Sequence, residues 1–427
     1  LTEGGIDAAA RRPAAQGSAA LPPVALYVHI PFCVSLCPYC DFVVYAGAAT
    51  RGPRSRVAAF VQALRTEIEL RADNLDRRVP EGRPSLETVY LGGGTPTLLS
   101  GAAIAALLEL IDARLGIASG AEITIEANPG RDERGVLRDL VAAGVTRISL
   151  GAQSFQATEL RRLGRRHAPA DVTIVVEEAR AAGIGSVSLD LLYDVPGQSL
   201  DSWSATLEAA LALRPDHLSA YALTLDDPDA EGITGQLGDH LPTRAGARRW
   251  RAAAVREQDD DRAAEQYELA TARLSAAGYR GYEISNWARP GHESRHNLVY
   301  WRRVPYEAVG PGAHAFDGHT RRWDAARLDG YLAALAPADG SAPMLPPGGS
   351  EGVDERTATV EATVLSLRLD TGLDLEAARV GPLGPHLAWA REAGLLESTG
   401  GIDGGPTRVR LTTRGRLLSN ELFTRLS

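Results

Sequence analysis

Cys33, Cys37 and Cys40 are the three cysteines of a 427-residue chain, and they fall within a single stretch of eight residues. A strand-like run, Leu26, Tyr27, Val28 and Ile30, stops at Pro31, and the chain then delivers all three thiols on one short loop. Three soft donors so close together suit one metal centre. A structural zinc ion is closed by four ligands; there is no fourth cysteine, and His29 sits on a strand just before a tight loop, poorly placed to reach back. Three thiolates that leave a position open suit an iron–sulfur cluster, whose free iron could meet a substrate or cofactor. Three buried structural thiols are the remaining reading, although packing gives no reason to cluster them.

Further polar side chains stand where short apolar runs end. Gly92-Gly93-Gly94-Thr95-Pro96-Thr97 follows Val89-Tyr90-Leu91, and three glycines let backbone approach a ligand with no Cβ in the way. An ordinary turn would use them equally well. Glu126-Ala127-Asn128-Pro129, Gly151-Ala152-Gln153-Ser154-Phe155 and the loop from Asp190 to Gln198 come next. Glu126 could accept from an amine, Gln153 bond an amide or hydroxyl, and Asp190 take ribose hydroxyls; singly, each is as readily a helix cap or a solvated rim residue.

The elements that must position these residues follow a rhythm. Apolar runs at Val24 to Ile30, Thr88 to Leu91, Ile123 to Ala127, Arg147 to Leu150, Val187 to Leu192 and His217 to Leu223 alternate with amphipathic stretches. Those stretches are Val57 to Arg71, Ala102 to Leu115, Arg138 to Ala143, Ala170 to Ala182 and Ser202 to Leu213. Such alternation predicts parallel βαβ units. About six repeats are fewer than the eight of a closed barrel, so an open, six-stranded partial barrel is expected, with functional residues at the C-terminal strand ends.

Composition narrows the chemistry. A net charge of −9 and a pI near 5.6 argue against general nucleic-acid binding. No apolar run reaches the roughly 18 residues of a membrane span, and no signal-peptide pattern precedes Cys33. A cytoplasmic protein is expected, in which clustered thiols mean metal or catalysis rather than disulfides; peripheral membrane contact stays open. The chain has no Lys, which excludes Lys Schiff-base chemistry.

The C-x3-C-x2-C loop after the first strand resembles the radical S-adenosylmethionine (radical SAM) family. Taken with Tyr90 to Thr97, Glu126 to Pro129, Gly151 to Phe155, Arg165-Arg166-His167 and Asp190 to Tyr193, it resembles the oxygen-independent coproporphyrinogen III oxidase group, and within it the HemW-like haem chaperones. The resemblance implies an α/β fold: a partial (β/α)6 radical SAM barrel with a small C-terminal winged-helix-like domain. It implies a 4Fe-4S cluster on Cys33, Cys37 and Cys40. It implies S-adenosylmethionine contacts at Tyr27, Tyr39, Gly93, Gly94, Thr95, Glu126, Gln153, Arg165 and Asp190, with Thr224 and His314 less securely placed.

Two features separate the branches of this group. The decarboxylase carries a further cysteine two positions after the third, whereas this chain continues Cys40-Asp41-Phe42. His296-Asn297-Leu298-Val299-Tyr300-Trp301 resembles the haem-associated signature of HemW-like proteins. A lone histidine more often makes hydrogen bonds than ligates, but Tyr300 and Trp301 offer flat faces to a porphyrin, and Arg295 or Arg302 could meet propionates. His296 is therefore the expected axial ligand, on a segment expected to begin as an exposed loop after a strand at Tyr282 to Ser285, with His314 as competitor. The implied function is a haem-binding chaperone that delivers haem to an acceptor protein; the alternative is the coproporphyrinogen decarboxylase. A nucleic-acid regulator built on the C-terminal module is a third reading, opposed by the acidic chain.

The expected division is a disordered lead-in (1–23), the barrel (24–230), an extension holding the haem motif (231–336) and the C-terminal domain (337–427). Three departures from the family pattern stand out. Asp194 replaces a usual Gly, Ser294 replaces a frequent Cys, and Asp226 to Asp261 is lengthened, Arg- and Asp-rich, and expected to be a solvated loop. A Gly/Pro-rich linker is expected from Pro343 to Gly352. Helical stretches at Arg356 to Leu369, Leu375 to Val380 and Pro385 to Leu396, a strand pair at Leu395 to Ser398 with Arg408 to Thr412, and a last helix from Thr413 complete the expectation.

Overall fold

The computed structural model describes residues 21–225, 228–374, 383–399 and 407–426. Six parallel strands form the centre: β1 (Ala25–Ile30), β2 (Leu86–Gly93), β3 (Ile117–Ala127), β4 (Arg147–Gln153), β5 (Ser186–Tyr193) and β6 (His217–Ala222). They lie side by side in chain order. Helices α1 (Val57–Arg78), α2 (Gly101–Leu115), α3 (Leu137–Ala142), α4 (Ala157–Arg162), α5 (Pro169–Ala182) and α6 (Leu200–Ala212) connect them.

The alternation of apolar and polar residues explains which side of the sheet is which. Val28, Val89, Leu91, Ile125, Ile148, Leu189 and Leu218 pack outward against Phe60, Leu64, Ile104, Val175 and Leu207 of the helices. Their neighbours in the period-two pattern are Tyr27, Tyr90, Thr124, Glu126, Ser149, Asp190 and Ser219, which leaves the concave face polar. The barrel is open, as its strand count requires. Helix α1 runs beyond the expected Arg71 to Arg78 because Leu75 continues its buried stripe.

The segment after the barrel covers both open edges. It contains α7 (Ala245–Ala254), α8 (Asp260–Ala276), β7 (Arg280–Gly281), β8 (Asn286–Ala288), α9 (Arg295–Trp301), β9 (Glu307–Val309) and α10 (Leu328–Leu335). Strand β9 pairs in parallel with β1, while β8 runs antiparallel to β6 and carries β7 outside it, so the sheet has nine strands.

Several expectations need correction here. The strand expected at Tyr282 to Ser285 is the turn between β7 and β8. The solvated loop expected from Asp226 to Asp261 contains α7 and the start of α8, and α7 buries Arg251 and Ala254. A helix whose buried face holds an arginine escapes a search for apolar periodicity. The Gly/Pro linker ends in a strand, Gly348–Gly352, paired with Thr320–Asp324. A Cβ on Gly349 would run into the Trp323 ring at 2.2 Å, so that glycine serves close packing rather than flexibility.

The C-terminal module has its own core, with Leu367, Leu387, Leu396, Val409, Leu411 and Leu422. The expected strand pair is present as Leu396–Thr399 with Arg408–Leu411, joined by Leu373–Asp374. The remaining expected helices are Glu355–Arg368, Gly384–Glu392 and a final pair from Thr413. The expected helix at 375–380 and most of the lead-in lie outside the described residues. No helix among those residues is long and apolar enough to cross a membrane.

Candidate cluster and cofactor site

One cavity of about 600 Å³ opens at the C-terminal strand ends and continues into the barrel. Cys33, Cys37, Cys40, Tyr39, Gly93, Gly94, Glu126, Gln153, Arg165, Asp190 and Thr224 all line it. Of the other sequence-predicted residues, Tyr27, Thr95, His296, Tyr300, Trp301 and His314 are not on its wall.

The cysteine loop is held from three directions. Thr95 Oγ1 donates to Cys33 Sγ at 3.5 Å, and Arg165 Nη1 to Cys37 Sγ at 3.6 Å. Arg165 itself is fixed by Asn128 Oδ1 and, at 2.7 Å, by the Gly151 carbonyl. From the far side, Arg251 of α7 donates to the carbonyls of Pro38, Tyr39 and Cys40 at 3.2, 3.1 and 3.0 Å. Trp250 lies against Tyr39 and donates to the Arg162 carbonyl. Nothing in the spacing of the motif announces Arg251. The only available signal was its position in an Arg-rich stretch that departs from the family pattern.

His29 locks the base of the loop. Its Nδ1 accepts from Tyr27 Oη at 3.0 Å and its Nε2 donates to the Val43 carbonyl at 2.8 Å, so both nitrogens are committed. Burial lowers its pKa to about 4, and the neutral ring cannot serve as a fourth metal ligand while so held. The glycines have a reason the sequence did not show. Gly93 has φ +105°, and a Cβ there would strike the His29 ring at 2.5 Å; one on Gly94 would strike the Phe32 carbonyl at 2.6 Å. They let the second loop pack under the cysteine loop, while the Gly93 N–H donates to Glu126 at 2.9 Å.

Burial sets the protonation of the groups along the cavity. Glu126 rises to about 7, because burial and the nearby Asp190 outweigh bonds from Tyr90 Oη (2.8 Å) and Gly93. Asp190 is raised by burial too, against donation from the Ser219 and Ser149 hydroxyls. Burial pushes the Cys33 thiol up to about 11 and raises Cys40 as well. Gln153 adopts φ +63° at a register shift between β4 and β5, and its side chain lines the cavity.

The donor set can be tested against a metal group. Among the described residues no three His, Cys, Asp or Glu side chains converge on a single ion, the arrangement a zinc site requires. A cluster is held differently, each thiolate on its own iron, and three half-buried cysteines around one mouth suit it. Arg165 Nε, buried beside Cys37 with no partner, marks unsatisfied donor capacity at the same spot.

Residues 27–210 match the Radical SAM superfamily. The chain is 39% identical over 405 residues to "Heme chaperone HemW" of Mycobacterium tuberculosis, covering 95% of both chains. It is 33% identical to the Bacillus subtilis protein of that name, over 93% of this chain and 97% of the other. The chain belongs to the HemW family of radical SAM proteins. Its fold matches a solved structure of coproporphyrinogen III oxidase (HemN) from Escherichia coli, with TM-score 0.72 and 24% identity over 95% of this chain and 90% of that one.

The HemW-type motif is not the exposed loop expected of it. Residues Arg295–Trp301 are helix α9, set against the N-terminal halves of β2 and β3, away from the cysteine loop. The Glu122 carboxylate accepts from the N–H groups of Arg295 and His296, both at 3.1 Å, and Ser294 Oγ accepts from Asn297 N–H. Ser294, where HemW-like proteins often have Cys, is thus a buried N-cap. His296 is 1% exposed. Its Nδ1 meets Thr88 Oγ1 and its Nε2 meets Tyr300 Oη, both at 2.7 Å. Burial drops its pKa to about 3, so the ring is neutral. Trp301 is covered by Arg368, whose guanidinium lies 4.4 Å over the ring. Of the motif residues Asn297 reaches the cavity, beside the N-cap Ser294.

His314 is partly exposed, stacked on Trp323, with Nε2 3.0 Å from Asp239. Asp194, which replaces the family's usual Gly, has φ +54°. That left-handed backbone explains the Gly preference; here the Asp194 N–H donates to Gln266 and its carboxylate binds Arg262 at 2.6 Å.

Proposed function

We propose that this chain is a haem-binding chaperone that carries a 4Fe-4S cluster and S-adenosylmethionine in its barrel and passes haem to an acceptor protein. The observation that carries this reading is 39% identity, over 95% of both chains, to a protein named as a haem chaperone. The absence of a cysteine two positions after Cys40 supports it against the decarboxylase reading. Localisation in the cytoplasm, and the lack of a nucleic-acid partner, belong to the same proposal.

When bound, the cluster supplies an open iron at which S-adenosylmethionine can be held and electrons delivered. The protein's own contribution is positioning. Cys33, Cys37 and Cys40 hold the cluster, with the Thr95 hydroxyl and the Arg165 guanidinium offsetting thiolate charge. Gly93 and Gly94 border the methionine end of the cofactor and Asp190 its ribose, where two serine donors orient the carboxyl. Glu126 and Gln153 offer hydrogen bonds to its polar groups, Tyr39 and Thr224 shape the pocket, and Tyr27 acts from behind the wall by holding His29. In this proposal haem lies against the α9 motif. Ligation by His296 requires the imidazole to leave Thr88 and Tyr300, so His314, with an accessible ring, stays a competitor.

The test uses anaerobically reconstituted protein. Cluster absorption, and a separate Soret change on adding haem, are expected. The Cys33, Cys37 and Cys40 to Ser triple variant should lose iron and sulfide while keeping its fold; full iron retention would overturn the cluster assignment. Incubation with coproporphyrinogen III, S-adenosylmethionine and reductant should return the substrate unchanged. Steady multiple-turnover decarboxylation would replace the chaperone reading with the enzyme.

A further inference from the structure

The inner end of the cavity carries a cation that the cofactor site does not use. Arg147, at the start of β4, is 3% exposed and lines this end together with Asn297, Ser294, His217 and Arg368. Its Nη1 donates to Ser186 Oγ at 3.0 Å and to the His292 carbonyl at 3.1 Å. Both bonds leave from one nitrogen. Its Nε and Nη2 have no protein partner among the described residues, and no carboxylate there lies within ion-pair distance. A guanidinium taken out of water without an anion is costly, and this one sits on the wall of a cavity.

Asp190 feels the Arg147 charge across the cavity, but no neighbouring group pairs with the guanidinium in contact. His217 spends both ring nitrogens on Ser188 Oγ and Tyr282 Oη, and burial keeps it neutral. Asp190, further along the cavity, is engaged by Ser149 and Ser219. Arg368, a second guanidinium, already has Glu283 at 3.3 Å. Asn297 uses only its backbone N–H in capping, so its amide is available to the same space. The free guanidinium donors are those a carboxylate accepts, and an amide can add one more.

We infer that the inner end of the cavity is a carboxylate subsite, in which Arg147 pairs with the anion and Asn297 adds a neutral donor. The inference rests on the haem reading for the identity of the ligand, which would be a propionate of the tetrapyrrole; a free small carboxylic acid presents the same chemistry. It gives the polar member of the α9 motif a ligand-facing role and leaves His296 as the residue that seats the helix.

The test compares haem with its dimethyl ester, which lacks the anions, by Soret titration in one detergent buffer. Wild-type protein should bind the free acid on the order of tenfold more tightly, as loss of a charged hydrogen bond implies. Arg147→Gln should bring the two within about twofold of each other. Because Arg147 also holds the 289–294 segment, Asn297→Ala, which keeps every backbone bond, serves as the second variant and should lose about threefold for the free acid alone. Equal binding of acid and ester by wild-type protein, or undiminished discrimination in both variants, would overturn the subsite. If neither porphyrin binds wild-type protein, the haem reading fails and succinate becomes the probe. A succinate-dependent rise in the melting temperature of wild type, absent in Arg147→Gln, would uphold the subsite, and no rise would end it.

Discussion

At the scale of single residues, the protein depends on polar side chains sealed inside a barrel, and their costs can be read from their partners. His296 is buried and satisfies two hydroxyls, so His296→Ala leaves Thr88 and Tyr300 facing a void. Removing one partner of a buried hydrogen bond costs about 1 to 3 kcal/mol, and with two bonds and lost ring packing we expect about 3 kcal/mol in urea unfolding. A loss of haem affinity in that variant must therefore be judged against its stability; Tyr300→Phe, which breaks only one of the bonds, is the control. An exposed ligand would instead give His296→Ala wild-type stability. Glu126 gives a pH prediction. Its pKa is raised from 4.5 to about 7 in the folded chain, so the folded state binds the proton more tightly than the unfolded one. The associated stabilisation is complete below about pH 4.5 and is lost as pH rises through about 7, a change of about 3 kcal/mol at 1.4 kcal/mol per unit. Unfolding of cluster-free Glu126→Gln between pH 5 and 8 should lack this decline; equal slopes for the two proteins would refute it.

At the scale of elements, the cysteine loop is a short irregular segment that owes its shape to its neighbours. Strand β1 anchors its base through His29, the second loop supports it through Gly93 and Gly94, and α7 clamps it through Arg251. Three bonds from one guanidinium to successive carbonyls replace the regular structure that eight residues with two prolines nearby cannot form. Arg251→Gln should leave the barrel intact, cost about 1 to 2 kcal/mol, and release iron to a chelator several-fold faster than wild type. Arg251→Lys, which keeps the charge but loses the fork, should fall between. Chelation at the wild-type rate in Arg251→Gln would show that α7 is only a cover.

At the scale of the whole molecule, buried charge joins the barrel to the extension. Arg71 of α1 binds Glu67 at 3.2 Å and Asp324 at 2.6 Å, while Glu67 also accepts from Tyr331 Oη and the Gly310 N–H. This network links helix α1 to the segments that place β9 on the edge of β1. Breaking one partner of a buried pair costs about 3 to 5 kcal/mol, so Arg71→Ala should unfold at markedly lower urea. The exposed pair Arg56–Asp329 gives the contrast: Asp329 is 87% exposed, and Asp329→Ala should change stability by less than about 1 kcal/mol. Similar losses in the two variants would mean the network does not join the units.

The sequence by itself determined the three-cysteine loop, the six βα repeats and the strand-end residues that meet in one cavity. Each of these is local or periodic: a spacing of cysteines, an alternation of apolar runs, a polar residue where a run stops. Tertiary structure alone decided the rest, because it depends on what distant segments bring. His296 looked like an exposed ligand until β2 and β3 supplied Thr88 and Glu122 to bury it. That Gly93 must also leave room for the His29 ring shows only when the two loops are packed together. Arg251 lies more than two hundred residues from the carbonyls it holds, in a stretch whose charge suggested solvent. Arg147 belongs to an ordinary strand sequence, and only folding shows that, among the described residues, no carboxylate comes within ion-pair distance of it.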